Sequence, residues 1–92
     1  MIIERVEIPV KDVDGFIEAM KEGRKLFSGA KGYHGMEVAR GVESPGKVLL
    51  LLRWDAVDDH VAFTKTPAFD AFKALVGPLF AGPSSMEHFK IA

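Results

Sequence analysis

Lys47 to Phe72 reads KVLLLLRWDAVDDHVAFTKTPAFDAF, and its opening run decides the fold. Val48 to Leu52 are apolar without a break, and Trp54 follows after the single charge of Arg53. A strand sends alternate side chains to opposite faces, so Val48, Leu50, Leu52 and Trp54 share one face and Leu49 and Leu51 the other. Both faces are apolar, which predicts an interior strand covered on both sides. A chain of 92 residues can cover one face of a sheet with its own helices. The other face then requires a second copy, so an obligate homodimer is expected.

Downstream, Asp55 is placed to cap a short helix that turns Val57, His60, Val61 and Thr64 toward the sheet. Thr66-Pro67 restarts the helix, with threonine as cap and proline at the first helical position. Phe69, Phe72 and Val76 continue the apolar face until Gly77-Pro78 disturbs it. Leu79-Phe80 forms a further anchor and Gly82-Pro83 a turn. Ser84 to Ile91 reads as the last strand, with Met86, His88 and Lys90 opposite Glu87, Phe89 and Ile91.

Upstream, Glu43 to Lys47 is turn chemistry joining the central strand to Tyr33–Arg40. Strict alternation there puts Tyr33, Gly35, Glu37 and Ala39 on one face and His34, Met36, Val38 and Arg40 on the other. Ile2 to Val10 alternates Ile2, Glu4, Val6 and Ile8 against Ile3, Arg5 and Glu7, a strand with one mostly apolar face. Asp12 is positioned to cap a helix whose stripe is Val13, Phe16, Ile17, Met20, Arg24 and Phe27, with Ser28-Gly29 as its stop. The order β-α-β-β-α-β predicts one α+β domain over residues 1–92, a ferredoxin-like four-stranded antiparallel sheet with helices on one face.

Composition narrows the function. Net charge is −1 and the basic residues are scattered, so neither nucleic acid nor an anionic membrane is an expected partner. Cysteine is absent, which excludes disulfides, thiolate metal sites and a cysteine nucleophile. No apolar run approaches the ~20 residues of a membrane helix, and MIIERVEIPV lacks the pattern of a signal peptide. A cytoplasmic location is the expectation. No phosphate-cradling glycine motif occurs, and His34, His60 and His88 lie on different elements without metal-ligand spacing. Ser85 and His88 face opposite sides of their strand, which argues against a serine nucleophile.

Trp54 and His60 lie close in sequence where the central strand meets the next helix. An indole beside an imidazole there can hold a flat aromatic ligand and move a proton; the alternative is a plain core aromatic. Phe63, Phe69, Phe72 and Phe80 read first as core, and their number also allows a large apolar pocket.

Taken together, GYHGMEV on the second strand, LLRW closing the third, TPAF, and GPLFAGPSSMEHF resemble the antibiotic biosynthesis monooxygenase (ABM) domain family across nearly the whole chain. The resemblance implies the dimeric α/β barrel, in which two ferredoxin-like sheets pack face to face. It also implies cofactor-independent oxygenation of a polyphenol- or quinol-like aromatic, in which the deprotonated substrate itself reduces oxygen. A haem-degrading branch uses an asparagine on the first strand with a tryptophan and a histidine on the last helix. Here the helix positions are Phe63 and Lys73, and the first strand has no asparagine.

The resulting expectation is a homodimeric monooxygenase with no cofactor. His60 and His88 are the proton-transfer candidates, Trp54, Phe63 and Phe72 the aromatic walls, and His34 a further ligand contact. A non-catalytic binding protein and a histidine-dependent isomerase are the alternatives on the same fold. Protein purified without chelator should carry no stoichiometric transition metal by elemental analysis and show no Soret or flavin band.

Overall fold

The computed structural model describes residues 1–92. Its strands are β1 (Ile2–Pro9), β2 (Tyr33–Arg40), β3 (Lys47–Trp54) and β4 (Ser85–Lys90); its helices are α1 (Val13–Gly23), α2 (Val57–Phe63) and α3 (Pro67–Val76). The strands form one antiparallel sheet in the order β2-β3-β1-β4. This is the expected ferredoxin-like α+β arrangement, and the sheet is open.

β3 pairs with β1 from Ile2↔Trp54 to Pro9↔Lys47 and with β2 along its other edge, so the apolar run is an interior strand. Val48, Leu50, Leu52 and Trp54 are buried in one core with Phe16 and Met20 of α1, Phe63 of α2, and Phe72 and Val76 of α3. Leu49 and Leu51 lie on the opposite face and are only partly covered. The helices therefore clothe one side of the sheet and leave the other bare.

α1 and α3 meet at a glycine. A Cβ on Gly23 would lie 3.2 Å from both the Met20 sulfur and the Phe72 ring, so the missing side chain makes room for that ring. α1 ends there and one tight 3₁₀ turn carries the chain through Phe27. Arg24, expected in the apolar stripe, instead donates to the Met36 carbonyl at 3.0 Å. Thr66 caps α3 as expected, its hydroxyl accepting from the Phe69 amide at 3.3 Å.

Four local expectations are corrected. In β2 the pairing register shifts between Tyr33 and Met36, so Tyr33 packs against the core beside Met36 and Val38 instead of opposite them. Gly35 sits within the shift at φ +116°, a conformation L side chains rarely adopt, which is how the strand absorbs the bulge. Asp12 occupies the start of α1 but makes no capping bond; its carboxylate folds over Gly15, where a Cβ would lie 2.8 Å from Oδ2. Ala56, not Asp55, is the N-cap of α2 (no side-chain cap bond); the Asp55 carboxylate instead meets His34 at 2.6 Å. α2 also rotates relative to expectation: His60 and Phe63 are buried, while Val57 and Val61 are exposed.

Gly35→Ala should lose about 1–3 kcal/mol, the usual cost of an unfavourable backbone conformation. Gly29 has negative φ and open space around its Cα, so Gly29→Ala should be neutral or stabilise by up to ~1 kcal/mol. Urea unfolding of the two variants beside the parent measures both.

Candidate active site

Alternation along β1 puts Glu4 on the helix-facing side between Ile2 and Val6, and only 7% of its surface stays exposed. Burying a carboxyl is costly unless donors meet it, and the sheet register supplies them. Glu4 stands opposite Leu52 on β3 and opposite His88 on β4. Trp54, two residues beyond Leu52 on the same face, is a diagonal neighbour within reach of a long side chain. Its indole Nε1 donates to Glu4 Oε1 at 3.0 Å.

From above, α2 lowers His60 onto the same spot. His60 Nε2 lies 3.3 Å from Glu4 Oε1, and its Nδ1 lies 2.7 Å from His88 Nε2. The His60 ring lies 5.4 Å from the Trp54 ring at an interplanar angle of 30°. Four groups from four elements thus form a continuous row: Trp54, Glu4, His60, His88. They do not surround a common point, and no group of three acidic or imidazole side chains is arranged to hold a metal ion.

Burial pushes the Glu4 carboxyl up to about 7, only partly offset by the indole donor. Burial also pushes the His60 imidazole down to about 4, helped by the neighbouring His88. Near neutral pH His60 is therefore uncharged, and its contact with Glu4 is not an ion pair. Glu4 is poised between acid and carboxylate.

Beside this row lies a cavity of about 440 Å³ between α3 and the β1–β4 half of the sheet, within the size range of small-molecule sites. Phe69, Phe72 and Val76 of α3 and Val6 and Met86 of the sheet make its walls mostly apolar. Glu4 is the only carboxyl and Lys73 the only permanent charge in the lining, with His60, Thr64 and Ser84 as the other polar side chains. Lys73 is exposed and partly engaged, 3.7 Å from Asp70.

Of the residues singled out from sequence, His60 and Phe72 line the cavity and His88 stands directly behind His60. Trp54 and Phe63 are fully or nearly fully buried and are not in the lining; they pack 5.9 Å apart in the core, beside Phe27. His34 is exposed, bonded to Asp55, and outside the cavity lining. Glu4 is not among the residues singled out from sequence. Its signal was present, a lone carboxylate in phase with Ile2, Val6 and Ile8.

The sequence profile described as antibiotic biosynthesis monooxygenase matches residues 1–75. A Bordetella bronchiseptica protein assigned to the antibiotic biosynthesis monooxygenases is 32% identical in sequence. Its crystal structure superposes with a TM-score of 0.93, covering 99% of this chain and 96% of that one. The Bacillus subtilis protein YczJ, itself uncharacterised, is 29% identical over 76 residues, 82% of this chain and 80% of its own length. SnoaB, a cofactor-independent oxygenase from Streptomyces nogalater, shares the fold, with a TM-score of 0.83 at 13% identity over 98% of this chain and 91% of that one.

The two perturbed groups should mark the pH dependence of stability with opposite signs. Glu4 holds its proton more tightly when folded, so its contribution is full below about pH 4.5 and is lost as pH rises through about 7. His60 holds its proton less tightly when folded, so its contribution is full above about pH 6.5 and is lost as pH falls through about 4. In the parent the slopes oppose each other between those limits. Denaturant titrations across this range should show Glu4→Gln rising in stability with pH and His60→Phe falling, each by on the order of 1–3 kcal/mol.

Proposed function

The chain belongs to the antibiotic biosynthesis monooxygenase family, and we propose that it is a cofactor-independent monooxygenase for a small quinol- or naphthol-like aromatic bound in the cavity between α3 and the sheet. The observation that carries this reading is the pairing of an apolar chamber with one proton-exchanging cluster in its wall. Phe69 and Phe72 supply aromatic surface for a flat ligand. A hydroxyl directed at Glu4 and His60 meets groups that are uncharged or easily neutralised, so an apolar ligand can enter without desolvating a fixed charge.

The chemistry asked of the protein is modest. Removing the hydroxyl proton turns the bound aromatic into an electron-rich anion. The anion gives one electron to dioxygen, and the resulting radicals join in a new C–O bond. The hydroperoxide, once protonated, loses water and leaves a carbonyl, so one substrate and one O₂ give one quinone and one water. The chain contributes proton transfer at the cluster of Glu4, His60 and His88, exclusion of bulk water, and orientation of the ring.

The working unit in this reading is a homodimer joined through the bare sheet face. Ile3, Leu49 and Leu51 are on that face with Phe89, which is 45% exposed. At ~25 cal/mol per Å², each ~100 Å² of apolar surface covered there contributes about 2.5 kcal/mol. Sedimentation equilibrium should find a dimer at micromolar concentration; a folded monomer would count against the pairing.

Oxygen uptake with a panel of quinols and naphthols tests the activity, and at least one compound should consume oxygen without added flavin or metal. His60→Phe, which keeps the volume, should stay folded and lower that rate by about 10²-fold or more. Ligand-induced thermal shifts with no oxygen uptake across the panel would favour a binding protein instead.

A further inference from the structure

We propose that Glu4 is the catalytic acid–base residue of the cavity, and that His60 and His88 are positioning residues that aim it. The proposal rests on the cavity being the substrate site; it does not depend on the oxygenation step.

The geometry singles out one oxygen. Oε1 of Glu4 is the atom that meets both the Trp54 indole and His60 Nε2. Oε2 takes no hydrogen bond from the chain, while Glu4 is part of the cavity lining. A carboxyl fixed through one oxygen and open through the other is presented to whatever fills the chamber. His60 is a poorer acceptor because Nδ1, its one lone pair when the proton is on Nε2, already meets His88 Nε2 at 2.7 Å.

One arrangement of protons matches every polar atom in the row. His88 Nε2–H donates to His60 Nδ1, which leaves the His60 proton on Nε2, 3.3 Å from Glu4 Oε1, and the indole donates to that same oxygen. The arrangement is unchanged when Glu4 gains a proton, provided the proton sits on Oε2. The step is then simple: the ligand O–H bond breaks, its proton joins Glu4 Oε2, and the electron pair stays on the ligand oxygen. Where oxygenation follows, the same proton passes from Oε2 to the peroxide anion, the hydroperoxide so formed loses water, and Glu4 is again a carboxylate. No net proton is gained or lost over the cycle.

The titratable groups around Glu4 are few. His60 faces it from α2, His88 from β4, and Lys73 of α3 lies on the wall of the same cavity; β3 presents only the indole. With His60 held neutral, the imidazole nearest Glu4 places no positive charge beside it to lock the carboxylate form.

The test combines carboxyl ¹³C NMR, histidine ¹⁵N NMR and turnover on the intact protein. One glutamate should titrate with a midpoint near 7 and vanish from the spectrum in Glu4→Gln. 2-Naphthol should move that midpoint. His60 should be in the Nε2–H tautomer, and His88→Phe should let it become a mixture of tautomers while the protein stays folded. Glu4→Gln keeps an acceptor for Trp54, so it should fold, yet lose turnover by about 10²–10⁴-fold on any compound the parent oxidises. If naphthol moves the Glu4 midpoint but nothing is oxidised, the acid–base assignment stands and the oxygenase reading falls. If oxidation proceeds at the parental rate in Glu4→Gln, or the midpoint ignores bound naphthol, the assignment is overturned while the oxygenase reading survives.

Discussion

The hydrogen bond from the Trp54 indole to Glu4 is the constraint around which the site is built. A carboxyl at this depth requires a donor, and an indole supplies one without adding charge. A donor is useful only if it is held still, and aromatic packing does that. Trp54 is surrounded by Tyr33 at 5.4 Å, Phe63 at 5.9 Å and Phe27 at 6.5 Å, and Phe27 in turn packs on Phe63 and Phe72. Trp54 and Phe63 therefore bear on the cavity without lining it. They fix the angle at which Glu4 meets the chamber.

The same bond ties the site to the sheet. Glu4 and Trp54 are on neighbouring strands two positions out of register, so the contact exists only while β1 and β3 keep their pairing. A one-residue slip would turn Glu4 outward and replace it with Ile3 or Arg5. The apolar alternation of β3 prevents that slip, because it would also carry Leu50 and Leu52 out of the core. Stability of the fold and placement of the carboxyl thus have one physical origin, the burial of one face of an interior strand.

The chamber itself arises from uneven helix cover. α1 and α3 pack closely at Gly23, where Phe72 fits against the helix backbone. Farther along, α3 stands away from the β1–β4 half of the sheet, and the intervening space is bordered by Val6, Met86 and Phe69. Short chains rarely waste apolar burial, so a cavity of about 440 Å³ in 92 residues forgoes packing contacts that would otherwise stabilise the chain.

Local sequence determined much of this protein. The uninterrupted Val48–Leu52 run identified an interior strand, the turn residues at Glu43–Lys47 made a hairpin, and Thr66-Pro67 split the second helical segment, because each depends on backbone preference or on period within a few residues. The histidines of interest were also legible, since His60 follows Trp54 closely and His88 falls on the inward side of its strand. Three things were decided only in the tertiary structure. The bulge at Gly35 re-aimed Tyr33, the contact of His34 with Asp55 left Ala56 as the N-cap of α2, and the rotation of α2 exposed Val57 and Val61 while keeping His60 inward as expected. Glu4 belongs to the same group. Its inward position followed from alternation, but its chemistry required Trp54 from residue 54, His60 from a helix and His88 from the last strand, separations that no local pattern spans. Packing of distant elements around one buried carboxyl, not the residue type alone, makes Glu4 able to exchange a proton near neutral pH.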